Sequence, residues 1–171
     1  MVMERLARRR GVEWAHALPD PSSGRPAAVC GDYQDGGATV RLLMPLTMMN
    51  DSGDALRAVA ADPAQVLIIC DDVNLPLGAI RLRPQGSAGG HHGLQSCLEA
   101  LGTEQVPRLR VGIGVEPLPA DLEAFVLSPF RSDERLRIKQ AIEQADAACE
   151  AWVTEGMERA MNRFNTTQDA S

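Results

Sequence analysis

The first third of the chain changes from a helical to a strand-like spacing of apolar residues. Apolar positions at helical spacing over 2–10 predict a short amphipathic helix, which ends at Gly11. Two apolar-rich runs at 29–33 and 39–44 predict strands, and the segment between them at 34–37 (QDGG) is typical of a hairpin turn. This part of the sequence therefore predicts a helix followed by a β-hairpin.

The middle of the chain predicts a capped helix and then a buried strand. One of the polar residues at 50–52 can cap a helix that runs to about Ala61. The run at 66–70 (VLIIC) is apolar without interruption, which is typical of a strand covered on both faces. Asp71 and Asp72 directly follow this run, so we expect them at the carboxyl end of the strand.

The second half predicts two more strands and several helices. Strands are predicted at 79–83 and 109–113, with a helix at 93–101 between them. The segment 132–164 carries apolar residues at helical spacing, with Gly156 as a break between two helices. Strands that alternate with helices predict the α/β class.

Length and composition indicate one globular domain. The chain has 171 residues, of which 44% are hydrophobic and 23% charged, enough to bury a core without disulfides or a metal. We expect a single α/β domain over 1–171, with a twisted mixed sheet flanked by helices and a disordered tail at 165–171. No stretch reaches the roughly 20 apolar residues of a spanning helix, so we expect a cytoplasmic protein without a membrane partner.

Charge gives a divided picture of possible partners. The formal net charge of −6 argues weakly against a nucleic-acid partner. However, Arg81, Arg83, Arg108 and Arg110 lie on two predicted strands, where alternation places each pair on one face. Four guanidiniums can then form one patch, which is either a solvated strand edge or a docking surface for phosphates. The spacing alone does not decide between these interpretations.

Two polar positions next to predicted strands are candidates for chemistry. Asn50 follows Met48-Met49 between a predicted strand and the start of a helix, where the simplest interpretation of its amide is a plain N-cap. Asp71 follows a buried strand, the place where open α/β sheets bind ligands, although a turn residue fits equally well. Neither position is assigned by spacing alone.

The glycine-rich loop at 86–93 is the third candidate. It ends at a helix N-terminus, where backbone N–H groups attract anions. The loop lacks the Lys-Ser/Thr pair of a phosphate-binding P-loop. His91 and His92 are adjacent, so their side chains diverge, and no third ligand lies nearby in sequence. We therefore expect no metal site.

Four motifs in register are similar to those of the bacterial peptidyl-tRNA hydrolase family. They are MPLTMMNDSG at 44–53, DDVNLPLGAIRLR at 71–83, GGHHGL at 89–94 and PRLRVGIG at 107–114. The resemblance implies one α/β domain that cleaves the ester between a peptide and the 3′ ribose of tRNA. It also implies no metal or nucleotide cofactor, and a monomer whose partner is peptidyl-tRNA.

The resemblance implies roles for three residues around the reacting ester. Asn50 matches the family's substrate-contacting Asn, which holds the peptidyl backbone or the attacking water. Met48 occupies a binding position where the family usually has an aromatic residue. Asp71 matches the aspartate that orients the catalytic histidine and favours its basic form.

Four further residues match positions that the family uses to bind its substrate. His91 matches the His of the GGHNGL motif, and His92 stands where that motif has Asn. An imidazole at this position can still hydrogen-bond the substrate. Arg83 and Arg110 match basic positions that the family uses against tRNA phosphate.

The resemblance also implies that one part of the family pattern is missing. Family members begin with a strand, a GLGNPG-like loop and a TRHN-like segment that supplies the catalytic His. The first residues here, MVMERLARRRGV, resemble the helix that follows that segment, and His16 does not align with the catalytic His. Since a general base contributes about 10²–10⁴-fold, we expect weak or no hydrolysis by these 171 residues.

Two other functions remain open at this point. The chain can be a non-catalytic RNA-binding protein on the same scaffold, which keeps the arginines and Asn50. It can also be an unrelated α/β hydrolase in which His91 is the base and Asp71 is its partner.

Overall fold

The computed structural model describes residues 1–15 and 17–165. Six strands and six α-helices occur among these residues, and short 3-10 turns lie at Met49–Asp51 and Pro63–Gln65. In chain order the elements are α1 Val2–Arg10, β1 Leu18–Pro19, β2 Pro26–Asp35, β3 Ala38–Pro45, α2 Gly53–Ala58, β4 Ile68–Pro76, β5 Ile80–Arg83, α3 His92–Leu101, β6 Arg108–Gly114, α4 Leu122–Val126, α5 Arg135–Glu155 and α6 Met157–Phe164.

These elements group into two compact units, each with a three-stranded sheet and its own helices. Apart from Val2, the first unit contains residues 1–68 and 84–107, and the second contains the remaining segments 69–83 and 108–165 of the described chain. The predicted α/β class is confirmed. None of the helices in the described part of the chain is long and apolar enough to cross a membrane.

The first unit is an antiparallel sheet with α2 and α3 packed together beside it. Strand β2 pairs with β3 from Ala28 opposite Pro45 to Asp35 opposite Ala38, which confirms the predicted hairpin. Gly36 and Gly37 make the turn at φ of 55° and 88°, a conformation that favours glycine. The first helix ends as predicted at Gly11, which adopts a left-handed conformation.

The second unit is built on the strand order β4-β6-β5. Strands β5 and β6 form an antiparallel ribbon whose one face is wholly apolar and buried. The residues of this face are Ile80, Leu82, Leu109 and Val111. Helix α5 packs against β6 and α6 against β5, and the buried face of α5 carries Ala141, Ala145 and Ala148, which are small enough for close packing. Gly156 separates α5 from α6, as predicted.

Two predicted elements have different bounds in the structure. The helix predicted up to Ala61 is instead a 3-10 turn followed by α2, which ends at Ala58. The strand predicted to end at residue 70 continues to Pro76, so Asp71 and Asp72 lie inside β4 rather than after it. Polar residues tolerate a strand interior when they find charged or hydrogen-bonding partners, and Asp72 has both.

The C-terminal end also differs in part from the prediction. Helix α4 was absent from the sequence-based elements; it is a single turn of helix that Asp121 caps by accepting a hydrogen bond from the Ala124 N–H. The disordered tail was predicted to begin at Asn165. That residue instead donates a hydrogen bond to the Leu82 carbonyl and accepts one from the Leu82 N–H. The rest of the predicted tail, 166–171, lies outside the described residues.

Candidate functional site

Four of the predicted site residues lie in the first unit and form what we call the amide–histidine cluster: Met48, Asn50, His91 and His92. The 3-10 turn that carries Asn50 packs against α3. A Cβ atom at Gly93 would lie 2.4 Å from Met49 Sδ and 3.2 Å from His91 Cε1. The missing side chain at Gly93 therefore allows the turn and the histidine to approach each other.

The Asn50 amide does not cap a helix, so one of its two interpretations is wrong. The first N–H of α2, at Gly53, donates instead to the Ser96 hydroxyl of α3 at 3.0 Å. Neither the 3-10 turn nor α2 has a side-chain capping bond. Asn50 is exposed, and its amide makes no hydrogen bond with the described residues. The amide is therefore available to an external ligand.

His91 has a structural role that its sequence position did not reveal. It is the N-cap of α3, and its Nδ1 accepts a hydrogen bond from the Leu94 N–H at 3.0 Å. A neutral imidazole that accepts at Nδ1 carries its proton on Nε2. It then has no remaining lone pair with which to take a proton from water. This arrangement argues against the hydrolase in which His91 is the general base.

The other two members of the cluster are open to solvent. Met48 is 74% exposed and precedes the 3-10 turn in an extended conformation. His92 is exposed at the first position of α3. Both side chains are thus accessible from solvent.

The acidic pair of β4 is in the second unit. Asp71 is half-buried, whereas Asp72 is buried. Burial and, to a smaller extent, the negative charge of Asp71 raise the pKa of the neighbouring Cys70 thiol to about 12. Cys70 is therefore a neutral thiol near pH 7 and not a thiolate nucleophile.

The four arginines of β5 and β6 do share one face, as predicted, and we call it the arginine face. Arg81 lies directly opposite Arg110, and Arg83 opposite Arg108. Side chains directly opposite each other in an antiparallel pair point to the same side, and so do residues two apart on one strand. The ribbon is therefore apolar on one side and lined by guanidiniums on the other.

The four guanidiniums differ in exposure. Arg108 is only 2% exposed, which removes it from contact with a large ligand. Arg83 is exposed, and Arg81 and Arg110 are half-buried. Arg110 makes an ion pair with Asp72, with 2.9 Å between Nε and Oδ2. Three of the four arginines are thus accessible to an anion.

Sequence reasoning missed two residues of these sites. The Ser96 hydroxyl accepts the Gly53 N–H at the start of α2, and a serine on a helix gives no signal of that role. Asp72 was treated only as a companion of Asp71, although alternation places the two side chains on opposite faces of a strand. Within residues 1–15 and 17–165, no three His, Cys, Asp or Glu side chains group closely enough to hold a metal ion.

Comparison with known proteins identifies the family that these sites resemble. The family model described as peptidyl-tRNA hydrolase matches residues 1–171. Because the match spans the whole sequence, the expectation that the chain lacks the family's first strand and catalytic-His segment gains no support from it.

Individual relatives and solved structures agree with that match. A peptidyl-tRNA hydrolase of Synechococcus sp. (strain JA-3-3Ab) is 42% identical over 172 residues, which cover 96% of this chain and 72% of the relative. One from Gloeobacter violaceus is 46% identical over 134 residues, 76% of this chain and 67% of the relative. The crystal structure of peptidyl-tRNA hydrolase from Acinetobacter baumannii has a TM-score of 0.83 at 30% identity and covers 96% of this chain and 83% of that one. This likeness confirms the predicted α/β fold of mixed sheets flanked by helices.

Proposed function

Since the chain belongs to the peptidyl-tRNA hydrolase family, we propose that it hydrolyses the ester that joins a peptide to the 3′ ribose of tRNA. The reaction is a carboxylic ester hydrolysis that releases the peptide and free tRNA for further translation. The observation that carries the proposal, beyond the family itself, is the arginine face of the β5–β6 ribbon.

The arginine face supports a phosphate-rich substrate in spite of the acidic net charge. A protein at −6 repels a polyanion at long range, so binding needs a local cluster of cations. Arg81, Arg83 and Arg110 supply such a cluster, and arginine suits phosphate because its planar fork of N–H groups matches the phosphate oxygens. We assign Arg83 and Arg110 to contacts with the tRNA backbone.

The amide–histidine cluster supports a role at the acceptor end of the substrate. The exposed amide of Asn50 can donate to a peptide carbonyl and accept from a peptide N–H or from a water. Met48 offers a flexible thioether against the terminal base or the peptide side chains. His91 orders the start of α3, which leaves His92 to hydrogen-bond the substrate directly.

Asp71 is the residue that we assign to the chemical step. A carboxylate beside a histidine keeps the imidazole in the tautomer that can accept a proton from water. His91 does not fit that base, because its Nδ1 already accepts from Leu94. His16 lies outside the described residues. The weak hydrolysis expected from the sequence alone stays a prediction that the assay below measures.

A direct assay separates hydrolysis from binding. The purified chain is mixed with N-acetyl-aminoacyl-tRNA, and release of the N-acetyl amino acid is compared with spontaneous hydrolysis. Asn50→Ala and Asp71→Asn should each lower the release rate, whereas Gln65→Ala, at an exposed residue of the second 3-10 turn, should not. Release at the spontaneous rate together with tight tRNA binding would favour the non-catalytic RNA-binding protein. Absence of both hydrolysis and tRNA binding would overturn the proposal.

The remaining expectations follow from a tRNA substrate. Cytoplasmic location and a monomeric state agree with an enzyme that acts on free peptidyl-tRNA, and both stay predictions. Gel filtration with light scattering, with and without tRNA, measures the second of them.

A further inference from the structure

A buried carboxylate lies behind one arginine of the arginine face. The Asp72 side chain is 3% exposed, and its Oδ2 lies 2.9 Å from Nε of Arg110. Its Oδ1 accepts a hydrogen bond from the Asn74 N–H at 2.9 Å. Oδ1 is thus hydrogen-bonded, whereas Oδ2 makes no hydrogen bond within the described residues and interacts with Arg110 as an ion pair.

The geometry of this pair suits orientation better than stability. A buried ion pair is a weak source of stability, because the desolvation of both charges offsets their attraction. Here only Asp72 is fully buried, while the Arg110 side chain keeps 28% of its surface exposed. The contact at Nε leaves N–H groups at the far end of the guanidinium for a further acceptor.

A second arginine lies next to the Asp72–Arg110 ion pair. Arg81 lies directly opposite Arg110 on the same face of the ribbon, and like charges at that spacing repel each other. Without a negative charge nearby, the two guanidiniums would turn apart into solvent. Asp72 supplies the charge that keeps Arg110 in place beside Arg81.

We propose that Asp72 is a positioning residue for RNA binding, which holds Arg110 beside Arg81 so that the two present a preorganised pair of cations to the RNA backbone. The inference rests on the proposed function, since it requires that the arginine face binds tRNA. It predicts that removal of the Asp72 charge changes the affinity for RNA in the direction opposite to that expected from net charge. Loss of a negative charge strengthens the general attraction to a polyanion, whereas loss of Asp72 weakens binding because Arg110 is no longer oriented.

The test compares two variants that remove the same charge. Asp72→Asn keeps the size of the side chain and an acceptor for the Asn74 N–H, but it abolishes the ion pair. Asp133→Asn removes one negative charge from an exposed ion pair with Arg131 in the same unit. The affinity for deacylated tRNA is measured by fluorescence anisotropy at several salt concentrations. Asp72→Asn should bind about tenfold more weakly, as expected when a charge-assisted contact is lost, and Asp133→Asn should bind at least as tightly as the wild type.

The salt dependence separates positioning from a merely structural defect. A partly unfolded preparation binds less tRNA in total, but its folded fraction keeps the salt dependence of the wild type. The slope of log affinity against log salt is negative, and loss of the Arg110 contact should make it shallower by about one. Asp72→Glu, which keeps the charge but displaces it by one methylene, should show an intermediate affinity and provides the test if Asp72→Asn does not fold.

The outcomes distinguish this inference from the proposed function. Wild-type affinity or tighter binding in a folded Asp72→Asn or Asp72→Glu protein would overturn the positioning role and leave the proposed function intact. Absence of tRNA binding by a wild-type chain that still hydrolyses N-acetyl-aminoacyl-tRNA would overturn this inference alone. Absence of both binding and hydrolysis would overturn the proposed function as well.

Discussion

The turn that carries Asn50 is held by backbone packed closely against its neighbours, whereas the arginine face is held by the alternation of side chains along two strands. In the first unit, Gly53 and Gly93 bring the 3-10 turn and α2 against α3 with no room for a side chain. In the second unit, the buried residues of β5 and β6 fix the ribbon, and the arginines on the other side follow from the register. The two regions should therefore fail in different ways.

The difference separates stability from binding within each region. Steric changes should displace the exposed amide of Asn50, because its position depends on close backbone contacts. Charge changes on the arginine face should alter binding while leaving the fold intact. Changes on the apolar side of the same ribbon should do the reverse.

Loss of packing on the apolar side of the ribbon should have the largest effect. Leu82 is 0% exposed, and Leu82→Ala leaves a cavity that should lower the free energy of unfolding by about 2–5 kcal/mol. Urea denaturation followed by circular dichroism measures this loss. A decrease below about 1 kcal/mol, the range of a volume-conserving swap, would mean that this face is not the core of the second unit.

Close packing in the first unit is tested by Gly53→Ala. The added Cβ would lie 2.3 Å from the Ser96 carbonyl oxygen and 2.8 Å from Ala100 Cβ, and this overpacking should cost about 1–3 kcal/mol. Gly24→Ala is the control, because its Cβ meets nothing within 4 Å although φ is 68°. The control should cost about 1–2 kcal/mol from backbone strain alone.

Binding separates these two glycine variants more clearly than stability does. Gly53→Ala should also weaken hydrolysis or substrate binding, because it displaces the Asn50 turn. Gly24→Ala should leave both unchanged. Equal activity in the two variants would mean that the Gly53 contact does not position the turn.

Substitution of Asn165, at the C-terminal end of α6, should lower the stability of the protein by a smaller amount. Asn165 makes both of its hydrogen bonds with the backbone of Leu82, and Asn165→Ala should cost about 1–2 kcal/mol in thermal unfolding. Asn165→Asp keeps the acceptor for the Leu82 N–H but places a carboxylate oxygen against the Leu82 carbonyl oxygen, so it should cost at least as much. An unchanged melting temperature in Asn165→Ala would contradict the anchoring role.

A local carboxylate adds a pH-dependent contribution in the first unit. Asp20 accepts hydrogen bonds from Ser22 and Ser23, and these bonds lower its pKa from 3.8 to about 2. Because the folded-state pKa is the lower one, the contribution is present above the ordinary pKa and is lost as the pH falls toward 2. The difference in unfolding free energy between wild type and Asp20→Asn should therefore shrink over that range. A constant difference from neutral pH to pH 2 would contradict this account.

Much of the fold could be predicted from the sequence, because periodicity and glycine signals are local. The helix end at Gly11, the hairpin turn at Gly36-Gly37 and the break at Gly156 all follow from short-range backbone preferences. The continuation of β4 through Asp71 and Asp72 was not predictable in this way. Besides the local Asn74 N–H, the partner of Asp72 is Arg110, which lies on a strand distant in sequence.

The candidate site was predictable to the same extent. Alternation placed four arginines on one face correctly, but it could not reveal that Arg108 is buried or that Asp72 pairs with Arg110. The family motifs identified His91, but its capping bond to Leu94 depends on the conformation of the loop before α3. Local patterns thus gave the residues, and tertiary contacts gave their individual roles.

The most direct test of the central claim is the salt dependence of tRNA binding by Arg83→Gln, with Arg131→Gln as a charge-matched control at another exposed arginine of the second unit. Arg83 is exposed on the arginine face, so its loss should leave the free energy of unfolding within about 0.5 kcal/mol. We predict that Arg83→Gln makes the negative slope of log affinity against log salt shallower by about one, while Arg131→Gln leaves it unchanged. Equal slopes in the wild type and both variants would contradict the assignment of this face to tRNA.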